Sequence, residues 1–283
     1  MSPNQKLEIC KQTRKIAAST LLKTLQTVLN SNSPISELEF KNKWLTQLRK
    51  EQDIFLDGWY IPPPDGIGVL FGNSDNLGRV NYKSLRAEEN WPREDVFLNK
   101  QGLAYFYASP VDKISGIIGD FAIIVYFGND EKIEQHIALC LKITKEIFKF
   151  TKPGMKLSDI AKYCSKLYQK NNFVNMVESS TDPKGTNIGH TIPDINLDSG
   201  KVSNWDEACK LISKERIFIN ESENTVIKPG MALTIEPRPQ SKVDPSLPMI
   251  SFHTTALFYE DREKELITNF EEIFKLAGMD YLL

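Results

Sequence analysis

The chain has 283 residues, 41% of them hydrophobic, and a formal net charge of -2. A nearly neutral chain with interspersed charges is not typical of a nucleic-acid-binding protein, so we expect no nucleic-acid partner. The longest strongly apolar run, Phe121–Phe127, is far shorter than the roughly 20 residues that a membrane-spanning helix needs. The N-terminal segment is charged early and lacks the apolar stretch of a signal peptide. We therefore expect a cytoplasmic protein without a membrane segment.

The positions of the cysteines indicate whether the chain contains disulfides, and the absence of linkers indicates how many domains it has. No CxxC pair is present, and Cys10, Cys140 and Cys164 lie among apolar neighbours in predicted helices. This pattern predicts buried, reduced thiols rather than a disulfide framework. No linker or low-complexity tract divides the sequence, so residues 1–283 are predicted to form a single domain.

In chain order, the sequence predicts helices and short strands in irregular alternation. Apolar residues at helical spacing predict four helices: residues 7–29, 35–50, 131–150 and one that is capped by Ser158. Short apolar runs predict buried strands: residues 66–71, 102–107 and 121–127. The polar stretch 76–93 predicts a loop. Period-two alternation predicts a strand at Met231–Glu236, another strand follows at 250–259, and a strand or helix over 266–276 closes the chain.

Few residues can carry chemistry, because the chain has only 3 histidines and no P-loop, Rossmann or GxSxG motif. His136 lies in the middle of a predicted helix and is interpreted as structural. His190 follows a glycine, His253 lies in a predicted strand, and Glu236 ends one. Asp120 precedes a buried apolar run and needs a partner there, because an unpaired buried charge is unfavourable. From the residues alone, one shared site and separate roles as caps, salt bridges or surface groups both stay open.

Four segments, in the same order along the chain, resemble the M24 metallopeptidase family of methionine aminopeptidases and Xaa-Pro dipeptidases. Residues 224–237 resemble the family strand KPGM.LTIEP, and Glu236 falls on its metal-binding glutamate. Ile188–His190 resembles the segment of the family's ligand histidine. Residues 253–261 resemble the strand of a bridging glutamate, and Gly116–Asp120 resembles the segment of a bridging aspartate. The resemblance implies a pita-bread fold, an α/β (α+β) architecture in which an antiparallel sheet is flanked by helices.

The resemblance is strongest over residues 100–270, and the sequence departs from the family pattern at ligand positions within that range. Where the family has a second aspartate, this chain has Ser109, and the bridging glutamate is replaced by His253. Two histidines that assist substrate or proton handling in the family are also absent, with Leu197 and Asn81 at the aligned positions.

These departures change what the resemblance implies about metal. Two cations about 3.5 Å apart need bridging carboxylates to offset their repulsion, so the second metal site is predicted to be absent. Four candidate metal ligands remain: Asp120, His190, Glu236 and His253. Two imidazoles and two carboxylates suit one Zn²⁺, Fe²⁺ or Mn²⁺. A metal-free arrangement, in which these groups hydrogen-bond one another, stays open.

The resemblance implies a hydrolase of aminopeptidase or prolidase type that acts on a peptide or small molecule. Its candidate catalytic residues are His190 and Glu236. Two alternatives stay open: an inactive peptide- or protein-binding pseudoenzyme, and a one-metal or metal-free enzyme with a small-molecule substrate. The loss of the two family histidines weighs against hydrolysis, because such groups stabilise the transition state. The sequence gives no oligomeric state.

Overall fold

The computed structural model describes residues 1–31, 33–72, 77, 79–175, 182, 184–195, 197 and 204–283. The α-helices of these ranges are α1 (Pro3–Leu29), α2 (Glu37–Leu48), α3 (Glu131–Phe150), α4 (Leu157–Lys170), α5 (Trp205–Glu215) and α6 (Glu271–Ala277). The strands are β1 (Ile67–Gly72), β2 (Leu103–Ala108), β3 (Phe121–Tyr126), β4 (Phe173–Asn175), β5 (Ala232–Ile235), β6 (Pro239–Ser241), β7 (Thr254–Leu257) and β8 (Glu265–Ile267). Among the described residues, no helix is long and apolar enough to cross a membrane.

The strands pair in three antiparallel groups within the described ranges. One sheet has the order β1-β2-β3, a second has the order β5-β7-β8, and β4 pairs with β6. Residues of β2 and β3 are buried along their whole length. This burial on both faces explains why their apolar runs do not alternate with polar residues. An isolated bridge between Ala122 and His253 joins β3 to the start of β7 and brings the two larger sheets together.

Helices pack on these sheets and cover one large hydrophobic cluster of the described residues, beside smaller ones. The α2 helix packs on β1, α1 and α6 pack on β3, and α3 contacts β5. Aromatic rings fill the centre, where the Phe106 ring lies 4.7 Å from that of Phe40 and 6.3 Å from that of Trp44. The cysteines are free, and the three predicted to be buried are buried. The predicted burial of these three thiols is confirmed.

The described part of the polar stretch 76–93 is tied to the start of α2 through Glu37. Both carboxylate oxygens of Glu37 accept from the Arg79 guanidinium, at 2.9 and 2.8 Å. The same carboxylate accepts the backbone N–H of Phe71 at 2.7 Å and that of Arg93 at 3.1 Å. A buried carboxylate with four donors is well satisfied, so it fixes this connection against the first sheet.

Two details of the helices differ from the sequence predictions. The α4 helix begins at Leu157 instead of after Ser158, because the Asp159 carboxylate accepts the backbone N–H of Lys156 at 3.3 Å. Ser158 lies inside the helix and is buried. The α5 helix was not predicted, although Trp205, Ala208 and Ile212 recur at helical spacing.

Candidate metal centre

Asp120 and His253 each lie directly before a strand and are brought together by a strand-to-strand contact. The backbone N–H of His253 donates to the carbonyl oxygen of Ala122 at 3.1 Å. Both residues are 1% exposed. Behind them, the buried Arg14 of α1 donates to the backbone carbonyls of Asp120 and His253, and to that of Thr268 at 2.9 Å. One guanidinium therefore fixes the spacing of the two residues from the side away from the site.

His190 and Glu236 are positioned by an extended segment that runs beside β5. The backbone N–H of His190 donates to the Thr234 hydroxyl at 2.8 Å, and the Thr234 backbone N–H donates to the His190 carbonyl at 2.8 Å. Gly189 has φ 140°, and a Cβ there would lie 2.2 Å from the Thr234 carbonyl oxygen. Only glycine allows this approach. Glu236 follows β5 and donates its backbone N–H to Ile188 at 2.9 Å.

The four side chains predicted from the sequence meet in one buried place. Nε2 of His190 lies 3.5 Å from Oδ2 of Asp120 and 3.9 Å from Oε1 of Glu236. Nε2 of His253 lies 3.7 Å from the same oxygen of Glu236. Asp120, His190 and His253 can each offer one ligand atom within 4.8 Å of the other two. Glu236 lies beside this three-residue group. Metal binding and catalysis by these residues stay predictions.

The hydrogen bonds around the group leave the candidate metal-ligand atoms directed at one another. Oδ1 of Asp120 accepts the indole N–H of Trp59 at 2.7 Å, whereas Oδ2 is buried and has no hydrogen-bond partner in the described part of the chain. Nδ1 of His190 lies 2.9 Å from the Thr191 carbonyl oxygen, so it carries the proton and Nε2 presents a lone pair. One carboxylate oxygen and two imidazoles form a donor set typical of Zn²⁺ or Fe²⁺. The residues present therefore fit one divalent cation.

Arg238 neutralises Glu236 on the far side from the histidines. Its Nη2 forms an ion pair with Oε2 of Glu236, and both side chains are largely buried. Burial alone would raise the pKa of the Glu236 carboxyl, but Arg238 and the neighbouring histidines lower it to about 2. Burial lowers the pKa of His253 to about 4, although the carboxylates oppose this shift. At neutral pH Glu236 is therefore ionised and the His253 imidazole is neutral.

A cavity of about 50 Å³ adjoins the group and is walled mainly by rings. The guanidinium carbon of Arg216 lies 4.4 Å from the ring centroid of Trp59 and 4.9 Å from that of Phe218. Further aromatic residues complete the wall: Tyr60, Tyr82, Tyr105 and Tyr107. Tyr82 comes from the stretch 76–93, so part of that stretch lines the site.

Ser109, which the sequence resemblance aligns with a ligand position of the family, has other contacts. Its hydroxyl accepts the backbone N–H of Tyr60 at 3.1 Å and donates to the carbonyl oxygen of Gly66 at 3.1 Å. It is 1% exposed, and a Cβ added to Gly58 would lie 2.4 Å from its oxygen. Ser109 thus holds the connection 58–66, which also carries Trp59.

Sequence reasoning missed four residues around the site: Arg14, Trp59, Arg216 and Arg238. The position of Arg238 carried a usable signal, because residues two apart in an extended segment point to the same side, and Glu236 is two residues earlier. The other three reach the site from distant parts of the chain, and no local pattern marks them.

The sequence places the chain in a known family. Residues 93–262, more than half of the chain, match the sequence model of Metallopeptidase family M24. The protein therefore belongs to this family, as the sequence motifs predicted. No curated protein is detectably similar to it in sequence.

Solved structures of family members have the same fold. An X-Pro aminopeptidase from Thermotoga maritima MSB8 has a TM-score of 0.65 at 13% identity, covering 94% of this chain and 61% of its own. The prolidase from Pyrococcus furiosus has a TM-score of 0.63 at 15% identity, covering 93% and 64%. An Xaa-Pro dipeptidase from Bacillus anthracis has a TM-score of 0.64 at 16% identity, covering 93% and 60%. The predicted pita-bread fold is confirmed, and the chain spans about three fifths of the length of these proteins.

Proposed function

We propose that the protein is a hydrolase of aminopeptidase or prolidase type that works with one divalent cation, Zn²⁺, Fe²⁺ or Mn²⁺. The observation that carries the proposal is the unpaired Oδ2 of Asp120, which faces Nε2 of His190 in a buried site that also contains His253. A buried carboxylate oxygen without a partner is unfavourable, and a bound cation would satisfy it.

Two contacts support one cation rather than two. The Trp59 indole donates to Oδ1 of Asp120, so Oδ2 is the oxygen of this carboxylate that is more available to a metal. The Ser109 hydroxyl is engaged with the backbone of Tyr60 and Gly66. A pair of closely spaced cations needs bridging carboxylates, and neither residue supplies a bridge.

In this proposal Asp120, His190 and His253 hold the cation, with the ionised Glu236 beside it. A bound divalent cation supplies a Lewis acid for the scissile carbonyl and lowers the pKa of water. The Glu236 carboxylate turns Oε1 toward both histidines, where it can accept a hydrogen bond from a water molecule or a substrate N–H. The aromatic walls exclude bulk water, which strengthens these polar contacts.

The size and charge of the site favour a second candidate function, a catalytically inactive protein that binds a peptide or another protein. The cavity of about 50 Å³ is small. Ligand pockets usually have volumes of roughly 300–1,000 Å³. A substrate peptide would therefore reach the candidate ligands only if the rings moved apart, whereas binding without hydrolysis does not require a peptide to reach them. The ion pair with Arg238 also satisfies one oxygen of Glu236 without any metal.

Metal titration combined with peptide hydrolysis tests the proposal. Metal-free protein is expected to bind one Zn²⁺, Mn²⁺ or Fe²⁺ per chain by calorimetry, and His190→Ala is expected to bind none. Hydrolysis of Xaa-Pro peptides should follow metal loading and should be lost in Glu236→Gln. The matched control is His136→Gln, because His136 is buried on α3 away from the site, beside Pro248. Two bound metals, or binding that survives His190→Ala, would contradict the proposal. One bound metal without hydrolysis would favour the binding protein.

A further inference from the structure

The Glu236–Arg238 pair is held rigidly against the candidate metal centre. Arg238 lies between Pro237 and Pro239, and proline fixes its own φ and restricts the residue before it. Pro239 also begins β6, which pairs with β4. Residues 236 and 238 of this extended segment therefore present their side chains to the same side, and the guanidinium meets Oε2 of Glu236.

Arg238 is a largely buried cation that also lines the cavity beside the site. Its side chain is 17% exposed and that of Glu236 is 7% exposed. Nε of Arg238 is buried and has no hydrogen-bond partner among the residues that the structure describes. A guanidinium has donors only and cannot bind a metal, but it neutralises a carboxylate as a metal would. Glu236 is thus already paired with a positive charge before any cation enters.

Glu236 differs from the three other candidate ligands in that one of its oxygens is already paired with a guanidinium. Asp120, His190 and His253 can bring one ligand atom each within 4.8 Å of one another. Glu236 contacts both histidines through Oε1 only, at 3.7 and 3.9 Å, while Oε2 is held by Arg238. A carboxylate held from one side by a guanidinium is a weakened metal ligand, because the two cations share its charge and repel each other.

We propose that Arg238 competes with the bound metal for Glu236 and keeps this carboxylate out of the metal's ligand set, so that the metal has three protein ligands. This inference rests on the single-metal site of the proposed function. It makes Arg238 a positioning residue, and it makes Glu236 a free carboxylate next to the metal instead of a fourth ligand. Glu236 then has one role instead of the two predicted for it from the sequence, metal ligand and catalytic residue.

The experiment measures metal affinity and the ligand field of the metal, not activity. Metal-free wild type and variants are titrated with Co²⁺ against a chelator, and the visible absorption spectrum is recorded. Arg238→Gln should bind Co²⁺ about tenfold more tightly than wild type, which is about 1.4 kcal/mol, with a changed spectrum, because Glu236 becomes a ligand. Glu236→Gln in the wild-type background should leave the affinity within about threefold, which is less than 1 kcal/mol. The double variant should return to the wild-type affinity, and the matched control Arg238→Lys should stay close to it.

The outcomes separate this inference from the proposed function. Unchanged or weaker binding in a folded Arg238→Gln overturns the inference, and so does a tenfold loss of affinity in Glu236→Gln. If Arg238→Gln fails to fold in thermal melting, the Glu236→Gln result decides alone. If wild type binds no Co²⁺, the proposed function fails. In that case, binding gained by Arg238→Gln and lost on adding His190→Ala still supports the competition, and no gain overturns it.

Discussion

Replacement of Trp59 by phenylalanine removes the hydrogen bond that the Asp120 side chain accepts within the described part of the chain. The indole N–H lies 2.7 Å from Oδ1, and Asp120 is 1% exposed, so solvent does not replace the donor. A hydrogen bond to a charged group contributes roughly 1.5–3 kcal/mol. The smaller ring adds about 1 kcal/mol for the lost packing. We therefore expect Trp59→Phe to lower the free energy of unfolding by about 3 kcal/mol.

Trp44→Phe is the matched control for this substitution. The Trp44 ring is 0% exposed, and its indole N–H donates to the neutral hydroxyl of Thr20 at 3.1 Å. A neutral hydrogen bond contributes about 1 kcal/mol, so with the same loss of packing we expect a decrease of about 2 kcal/mol. The difference between the two variants isolates the charge of Asp120.

Urea unfolding of both variants in a chelating buffer measures this difference. The Trp59→Phe variant should be less stable than Trp44→Phe by about 1 kcal/mol, with similar dependence on urea concentration. Equal stability, or a more stable Trp59→Phe protein, would refute the role assigned to the indole. Asp120 would then be satisfied by another group in the metal-free protein.

Two further predictions concern Gly189, which precedes His190, and the buried His136. Gly189→Ala should weaken metal binding by about tenfold in calorimetry, because the new Cβ would displace the backbone beside His190. Gly154→Ala, at a positive φ of 88° with open space around it, should retain wild-type affinity, and equal losses in the two variants would contradict the argument. Burial lowers the pKa of His136 below 6.5, so its contribution to stability is present above that pH and is lost as the pH falls below it. His136→Gln should reduce the loss of unfolding free energy between about pH 7 and pH 5, and an unchanged slope would assign that loss to another group.

The sequence predicted much of the site because its residues lie where local patterns change. Asp120 precedes an apolar run, Glu236 ends an alternating strand, and His190 follows a glycine with positive φ. The order of these motifs in the family then indicated that they converge. Such positions can be recognised from the local sequence, whereas the distances between their side chains cannot.

The residues that surround the four candidate ligands could not be predicted in the same way. Trp59 reaches Asp120 across 61 positions, and nothing in the connection 58–66 marks its indole as a donor to that carboxylate. Arg216 lies one residue beyond α5, a helix that the sequence did not predict. The predicted start of α4 was wrong for a related reason. It depends on the hydrogen bond from the Lys156 backbone to the Asp159 carboxylate and not on the nearest serine.

Because Arg14 contacts residues that are distant in the sequence, we expect the candidate site to form at a late stage of folding. They join α1 to Asp120 across 106 positions, to His253 across 239 and to Thr268 across 254. Gly119 permits this docking, because a Cβ there would lie 2.3 Å from the backbone nitrogen of Arg14. Closing such long loops is slow, and during synthesis α1 leaves the ribosome well before its partners exist. The cluster of candidate ligands is therefore complete only after most of the chain has emerged. A metal would then bind only once the chain has folded.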